Sequence, residues 1–343
     1  MRVLVTGHLG YIGAHVTEVL RQEGHTVCGV DLNLFQDSEW MPLAGPHENL
    51  TDDFRNLQES DLVGFDAIVH LASICNDPMG AFAPELTQQI NLDGTLYLAR
   101  LAKSAGVPRF LFASSCSIYG KTGDNMLNET DRVEPLTVYG TTKYEAEQAL
   151  SAMADDGFSP VFLRNATAYG SSPRLRLDLL VNDLCARAFA SGELRIISDG
   201  KPWRPFVHCR DIARAFVHLA QASIEKVHNQ AFNIGATAEN FRVRDIASLV
   251  LETVPGSRAV YLDQVSADAR DYKVDFSKFA TTFPDFEFSH TVCSGIDEMI
   301  AGFGSYGMTR DMIDGPRFSR LRTLQQRIDE LQPAAGGVAE TVL

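Results

Sequence analysis

Short apolar runs and amphipathic stretches alternate along the first half of the chain. Residues 2–6 form an apolar, β-branched run, an amphipathic stretch covers Ala14 to Glu23, and a second apolar run covers Thr26 to Val30. An apolar run of this length predicts a strand, and apolar positions with a 3.6-residue period predict a helix. Residues 2–30 are therefore predicted to form a strand–helix–strand unit.

The same alternation continues to about residue 165. It predicts strands at 66–71, 109–114 and 160–164 and helices at 84–105 and 139–154. Strands that alternate with helices pair in parallel, because each helix carries the chain back to the start of the next strand. The sequence therefore predicts the α/β class, with a doubly wound parallel sheet.

The regular alternation ends after residue 165. Residues 173–180 are predicted to form a basic loop, 181–190 and 211–222 helices, and 194–198 and 231–234 short strands. A first domain at 1–165, with returns to it from about 205–235, is predicted to precede a smaller α/β lobe at 166–332. An amphipathic helix is expected at 319–331, and a disordered Ala- and Gly-rich tail at 333–343.

Composition narrows the class of protein. The chain has 343 residues, of which 45% are hydrophobic and 22% charged, as is typical of soluble globular proteins. A net charge of −14 argues against nucleic acid or an anionic membrane as partner. The first apolar run is too short for a signal peptide, and no run approaches the ~20 apolar residues of a membrane span, so a cytoplasmic protein is expected. The six cysteines lack C-x-x-C spacing, which predicts reduced thiols and no metal site.

Three glycines stand between the first strand and the first helix. Gly7, Gly10 and Gly13 allow a tight turn and a close approach of the backbone to a pyrophosphate, which the helix N-terminus can bind. Asp31 closes the second strand, where a carboxylate accepts hydrogen bonds from a ribose 2′-hydroxyl and repels a 2′-phosphate. This pattern predicts an NAD site, although a structural turn at either position gives the same residues.

Tyr139 and Lys143 lie four residues apart on a predicted helix and therefore share one face. An ammonium beside a phenol lowers the pKa of the phenol. Tyr139 is thus a candidate acid/base for a sugar-type hydroxyl. By itself such a pair is more typical of a solvated helix face.

The wider pattern resembles one family over roughly residues 1–300. The chain resembles the extended short-chain dehydrogenase/reductases, and among them the NAD-dependent nucleotide-sugar epimerase/dehydratase family. The resemblance implies a Rossmann-type sheet, a substrate-binding lobe, and catalysis by Ser115, Tyr139 and Lys143. It also implies that NAD is contacted by Tyr139 and Lys143 and by a set of residues from the first domain, namely Gly7, Gly10, Tyr11, Ile12, Gly13, Asp31, Asp53, Phe54, Leu71, Ala72, Ser73 and Asn91.

The second half carries the substrate motifs of the family. The resemblance implies that Arg204 and Arg270 bind the diphosphate of a nucleotide sugar, which two guanidinium groups can do in bidentate fashion. Thr167 stands where the family has a substrate-binding Asn, and Asn165 and Asn182 are the candidates to replace that contact. Ser115, Cys116 and Ser117 are also expected to contact substrate. Arg174 and Arg176 are expected to form a solvated basic loop rather than a binding site.

The residues after Ser115 bear on the reaction. Family dehydratases carry Asp-Glu there, as acid and base for elimination, whereas this chain has Cys116 and Ser117. These two residues count against elimination, so the sequence favours an epimerase, with a dehydratase or a 4-ketoreductase of the same family as the alternatives. A catalytically inactive NAD-sensing regulator is disfavoured because the chain keeps Tyr139, Lys143 and Ser115. Cys116 is either a packed thiol, which we favour, or an additional acid/base. The resemblance further implies a homodimer formed through the helices at 84–105 and 139–154, with Leu96, Leu98 and Leu101 as candidate contacts.

Overall fold

A seven-stranded parallel sheet forms the centre of the molecule. The structure is a computed structural model that describes residues 1–262 and 270–331, apart from the side chains of residues 122–124 and 331. The predicted tail at 333–343 lies outside the described residues. The strands are β1 (Arg2–Thr6), β2 (Thr26–Val30), β3 (Glu48–Asn49), β4 (Ala67–His70), β5 (Arg109–Ser115), β6 (Lys121–Leu127), β7 (Ser159–Asn165), β8 (Thr167–Tyr169), β9 (Glu193–Ile196), β10 (Trp203–His208), β11 (Gln230–Ile234), β12 (Asn240–Arg242), β13 (Arg258–Tyr261) and β14 (Asp271–Val274).

The helices are α1 (Gly13–Gln22), α2 (Glu59–Leu62), α3 (Asp77–Phe82), α4 (Pro84–Gln88), α5 (Thr95–Ser104), α6 (Val138–Ala152), α7 (Leu180–Ser191), α8 (Cys209–Gln221), α9 (Ile224–Val227), α10 (Val243–Thr253), α11 (Ser277–Thr282), α12 (Val292–Tyr306), α13 (Arg310–Asp314) and α14 (Arg320–Leu331). No helix of the described chain is both long enough and apolar enough to cross a bilayer.

The large sheet has the strand order β11-β7-β5-β4-β1-β2-β3. Helices α1 and α8 pack together on one face, and α2, α5 and α6 pack on the other. The predicted doubly wound parallel sheet is therefore confirmed. The central strands are almost completely buried, as expected when helices cover both faces.

The long helix predicted at 84–105 is interrupted. A π-helical turn at Gln89–Gly94 separates α4 from α5. Within this turn the Asn91 side chain bonds both backbone groups of Ile74, and Thr95 Oγ1 donates to the Asn91 carbonyl oxygen at 2.8 Å. The polar side chains thus hold the turn against the loop after β4, which apolar periodicity alone does not indicate.

Two- and three-stranded sheets form the second half together with α7, α10 and α12. Strand β11 returns from this half to the edge of the large sheet beside β7. The boundaries of the two predicted domains remain a prediction.

His70 is a buried polar group in the middle of the large sheet. Its Nδ1 lies 2.7 Å from Thr6 Oγ1 on β1, and its Nε2 lies 2.9 Å from Thr95 Oγ1 on α5. The ring also packs against Phe54, Phe110 and Phe112. Burial in this apolar setting lowers the pKa of His70 to about 3. The neutral imidazole is therefore the form that joins β1, β4 and α5.

We expect the stabilising effect of His70 to be lost in acid. The folded-state pKa lies below the unfolded value of about 6.5, so the unfolded chain binds the extra proton first as the pH falls. The free energy of unfolding lost in His70→Gln should therefore be greatest above pH ~6.5 and shrink below it. Urea denaturation at pH values of about 7.5 and about 5 measures this difference. A difference that is the same at both values, or the same behaviour in the half-buried control His228→Gln, would contradict the assignment.

Candidate active site

A cleft of about 750 Å³ opens at the carboxyl ends of the central strands. The segments that follow β1, β2, β4, β5 and β7 form one wall, and segments of the second half form the other. Most of the predicted site residues line it: Gly7, Gly10, Tyr11, Ile12, Gly13, Asp31, Asp53, Phe54, Leu71, Ala72, Ser73, Ser115, Tyr139, Lys143, Asn165, Thr167, Arg204 and Arg270. Four predicted residues do not: Asn91, Cys116, Ser117 and Asn182.

The glycine loop is packed too tightly for side chains. Gly7 has a φ of +74°, and a Cβ there would lie 2.7 Å from the Ala72 amide nitrogen. A Cβ on Gly13 would overlap the Gly7 carbonyl oxygen. Helix α1 starts at Gly13 with no side-chain cap, although the Ala14 N–H in its first turn donates to the Gly10 carbonyl oxygen at 3.1 Å. The positive end of the helix dipole favours an anion at this position. The loop therefore fits a diphosphate group.

Two carboxylates border the ribose end of the predicted cofactor site. Asp31 accepts hydrogen bonds from the backbone N–H groups of Leu9, at 2.9 Å, and Asn33, at 2.7 Å. Asp31 thus has the structural role in a turn that was the alternative to ribose binding. It also lines the cleft, where each carboxylate oxygen keeps a lone pair that can accept from a hydroxyl. Asp53 is held by Arg55 through both carboxylate oxygens.

Helix α6 carries Tyr139 and Lys143 to the end of β5, where Ser115 lies. Thr137 caps the helix, its Oγ1 accepting from the Gly140 N–H at 3.1 Å. Lys143 Nζ lies 5.9 Å from the centre of the Tyr139 ring and 4.8 Å from that of Phe112. A hydroxyl, a phenol and an ammonium therefore meet in one cleft.

Burial has the largest effect on the pKa values of Lys143 and Tyr139. It lowers the pKa of Lys143 to about 8. It also raises the pKa of Tyr139, and the Ser115 hydroxyl opposes this only in part. The predicted lowering of the Tyr139 pKa is therefore wrong, because loss of hydration has the larger effect.

A buried ion pair lies behind these residues and was not predicted. Glu147 is four residues beyond Lys143 on α6 and accepts from Arg164 of β7, with Nη2–Oε2 at 2.7 Å and Nε–Oε2 at 3.1 Å. The Ser114 hydroxyl also donates to Glu147. Ser115 caps the short 3₁₀ turn that follows β5, its Oγ accepting from the Ser117 N–H at 3.2 Å. The repeated four-residue spacing from Tyr139 to Glu147 is the signal that could have revealed the pair.

Cys116 and Ser117 turn away from the cleft, so the predicted substrate contacts of their side chains are wrong. Both lie in a short 3₁₀ turn after β5 and are buried. Cys116 Sγ donates to the Arg164 carbonyl oxygen at 3.1 Å, and burial raises the pKa of the thiol. Cys116 is thus packed within the protein, as the favoured interpretation expects.

Asn91 and Asn182 are also buried away from the cleft, which corrects both predictions. Asn91 bonds the backbone of Ile74, as described above, so it positions the loop after β4. Asn182 accepts from the Gly170 N–H and donates to the Arg176 carbonyl oxygen at 2.9 Å. Both amides are therefore engaged by groups of the protein itself.

Asn165 is the better candidate to replace the missing family Asn. Its Nδ2 donates to the Ser114 carbonyl oxygen at 3.2 Å. Its Oδ1 is buried and has no hydrogen-bond donor within the described part of the chain. Thr167 lines the cleft two residues further along the chain. An acceptor without a donor at a cleft wall fits a ligand hydroxyl.

The expectation that Arg174 and Arg176 are solvated is wrong. Arg174 donates to the carbonyl oxygens of Phe35, at 3.2 Å, and Gln36, at 2.6 Å, in the loop after β2. Arg176 forms two bonds of 3.0 Å with Asp178. Both side chains are buried, and Arg176 lines the cleft.

Arg204 and Arg270 reach the cleft from the second half. Arg204 Nη1 donates to the Trp203 carbonyl oxygen at 2.8 Å and also to the Arg270 carbonyl oxygen. Arg270 Nη1 lies 2.6 Å from Asp77 Oδ2 at the start of α3. The Arg204 guanidinium is thus bonded to the backbone of Arg270, and the Arg270 guanidinium is paired with the start of α3.

Outside the cleft, the described residues contain one group that could in principle hold a metal, namely His208, His290 and Glu298. The two imidazole rings stack with centroids 4.0 Å apart and planes at 13°, so their lone pairs run parallel rather than toward one point. His208 Nε2 lies 2.9 Å from Glu298, and His290 Nδ1 lies 3.1 Å from Asp211. The contact between His208 and Glu298 is close but is not a hydrogen bond, whereas His290 and Asp211 are hydrogen-bonded, so each imidazole already has a carboxylate neighbour.

Comparison with known proteins gives consistent matches. The model of the "NAD dependent epimerase/dehydratase family" matches residues 3–235. An uncharacterized UDP-glucose epimerase from Bacillus subtilis (strain 168) is 29% identical over 296 residues, which cover 81% of this chain and 90% of that protein. UDP-glucuronic acid decarboxylase 1 from Arabidopsis thaliana is 28% identical over 91% of this chain and 72% of its own length.

Among solved structures, MoeE5 in complex with UDP-glucuronic acid and NAD superposes with a TM-score of 0.77 at 29% identity. The match covers 89% of this chain and 99% of that one.

Because Gly13 packs against the Gly7 carbonyl oxygen, a methyl group at position 13 should weaken NAD binding more than a methyl group on a glycine with space around it. Gly13→Ala should weaken NAD binding on the order of tenfold or more, because the Gly7 carbonyl must move and with it the loop that approaches the diphosphate. Gly302→Ala is the matched control, since a Cβ there meets only Ser171 Oγ at 3.6 Å. Titration calorimetry with NAD measures both affinities. Equal affinities in the two variants would show that the loop is not the cofactor site.

Proposed function

Since the chain belongs to the NAD-dependent epimerase/dehydratase family and is an NAD-dependent enzyme, we propose that it is a nucleotide-sugar epimerase. The observation that carries the proposal is the convergence of Ser115, Tyr139 and Lys143 in one cleft with the glycine loop. The reaction passes through a transient keto-sugar, which is formed and reduced again in one catalytic cycle.

Each catalytic side chain has a chemical task. Tyr139 takes the proton of a sugar hydroxyl and later returns it, and Ser115 donates a hydrogen bond to the same oxygen. Because the pKa of Lys143 is about 8, both its charged and its neutral form are populated near that pH. The charged form supplies positive charge beside the phenol. Bound NAD would supply the hydride acceptor at the sugar carbon and a positive ring charge that opposes the effect of burial on the Tyr139 pKa.

The proposed substrate is a nucleotide-diphosphate sugar of the UDP-sugar class. Arg204 and Arg270 are the proposed diphosphate ligands, since both line the cleft and are held by the protein at defined positions. Asn165 and Thr167 are proposed to contact the sugar. The named relatives act on or bind UDP-sugars, which supports the choice of nucleotide.

Epimerisation is favoured over elimination by the two residues after Ser115. Cys116 and Ser117 supply no carboxyl group there, and their side chains are packed into the protein. A keto-sugar formed in the cleft therefore lacks the acid that family dehydratases place at these positions. Return of the hydride to the other face of the sugar is then the simplest fate.

We also propose that the enzyme is a cytoplasmic homodimer. The proposed contact is the surface of α5 and α6. Leu96 and Leu101 are only half-buried, which leaves apolar surface for a second copy, whereas Leu98 is fully buried and belongs to the core.

Tyr139→Phe tests the proposal directly. The wild-type protein, incubated with UDP-, GDP-, dTDP-, CDP- and ADP-sugars, should convert one of them to a diastereomer without net reduction of NAD, as followed by NMR. Tyr139→Phe should reduce this rate by about 10²- to 10⁴-fold, because the acid/base group is removed. Tyr144→Phe, the same change one residue beyond Lys143, should keep activity. A stable keto product, loss of CO₂ or an unsaturated sugar from the wild-type protein would refute the epimerase assignment.

Cys116→Ala is expected to retain most of the activity. The thiol is buried, bonded to the Arg164 carbonyl oxygen, and turned away from the cleft. The variant should lose some stability through the small cavity, about 1 kcal/mol or more, while its turnover stays close to that of the wild-type protein. Complete loss of turnover with NAD still bound would make Cys116 an acid/base group after all.

A further inference from the structure

The C-terminal helix α14 lies across the cleft, outside the residues 3–235 that match the family model. On one side it packs against Ile74 and Met79, which follow β4, and on the other against the loop that follows β2. The residues of this contact are Leu34, Phe35, Ile74, Cys75, Met79, Leu86, Ile90, Leu321, Leu324 and Ile328. Because β1 lies between β4 and β2 in the sheet, α14 spans the position where the glycine loop leaves β1.

The first residue of α14 is a buried cation. Arg320 is only 2% exposed, and its guanidinium lies 4.4 Å from the centre of the Phe35 ring. Nη2 donates to the Arg174 carbonyl oxygen at 3.2 Å. Nη1 is buried and has no acceptor among the described residues, yet the side chain lines the cleft. One hydrogen-bonding edge of the guanidinium is therefore unused.

The groups around Arg320 leave an excess of positive charge. The positive charges of Arg174 and Arg176 repel that of Arg320, and Asp178 is the main carboxylate that attracts it. Asp178 is already engaged by both donors of Arg176 and by Asn76 Nδ2 at 2.8 Å. Burial and the neighbouring arginines lower the pKa of Arg320 to about 10, which leaves it charged at neutral pH. A buried cation with an unused donor is costly unless an anion joins it.

We propose that Arg320 binds the diphosphate of the dinucleotide cofactor and that α14 completes the cofactor site from above. The inference rests on the proposed cofactor site at the glycine loop. Arg320 is the first residue of α14, the helix that crosses the glycine loop. The substrate diphosphate has its own proposed pair of arginines, Arg204 and Arg270. Arg176, whose guanidinium lies 6.0 Å from the ring of Tyr11 in the glycine loop, connects the arginine group to the same place.

Titration calorimetry of single variants with NAD, ADP-ribose and adenosine tests the proposal. Arg320→Gln should raise the Kd for NAD and for ADP-ribose by about 10- to 100-fold, the range expected for a charge-assisted hydrogen bond. The Kd for adenosine, which lacks the diphosphate, should not change. Arg320→Lys keeps the charge without the planar fork and should lose less affinity.

Arg327→Gln is the matched control on the same helix. Its guanidinium pairs with Asp37 and Glu330 outside the cleft, so NAD affinity should stay at the wild-type value. The melting temperature of Arg320→Gln without ligand should not fall, because the variant removes a buried charge that lacks an anion. The increase in melting temperature that NAD produces should become smaller.

Two outcomes would overturn the inference. Unchanged NAD affinity in Arg320→Gln would exclude a diphosphate contact, and a raised KM for the nucleotide sugar with unchanged NAD affinity would assign the cation to the substrate. Gly13→Ala separates this failure from that of the proposed cofactor site. If only the inference fails, Gly13→Ala still weakens NAD binding, whereas if the site itself is wrong, neither variant does.

Discussion

The ion pair between Glu147 and Arg164 holds the helix that carries Tyr139 and Lys143 against the central sheet. Both groups are buried, so their hydration is lost and only bidentate geometry with further hydrogen bonds compensates for it. Tyr119 and the Glu129 carbonyl oxygen accept from the remaining Arg164 donor. Together with the apolar residues Ala146 and Leu150 of α6, this pair fixes the helix against β5 and β7 and so helps to place the phenol beside Ser115.

Charge is distributed very unevenly between the surface and the cleft. The chain carries a net charge of −14, whereas nine Arg and Lys side chains line the cleft beside six aspartates, among them Lys143, Arg176, Arg204, Arg270 and Arg320. A concave basic site in an acidic protein attracts small dianions locally, while the overall field repels polyanions such as nucleic acids. This arrangement suits two diphosphate-bearing ligands bound side by side.

The sequence was most informative where local backbone geometry and function require the same residue. The need for glycine at position 13 could be predicted because the turn between strand and helix leaves no room for a side chain. The alternation of strands and helices could be predicted because it depends on apolar patterns within short stretches of the chain. The direction of some side chains was not predictable. Cys116 points inward because of the 3₁₀ turn after β5, and Asn182, on α7, is turned inward by its bond to a distant tyrosine, Tyr11. Arg174 was misassigned because its partners are loop carbonyls about 140 residues away in the chain, which no local pattern encodes.

The contact under α14 has a consequence for how long a ligand remains in the cleft. Among the described residues, the buried centre of this contact consists of Ile74, Met79 and Leu324, which is a small cluster beside three larger ones. Detachment of the helix is therefore a local opening that costs less than global unfolding. A dinucleotide beneath it would leave no faster than the helix opens. An enzyme that returns its hydride within the same cycle does not need to exchange the cofactor, so slow release does not limit its turnover.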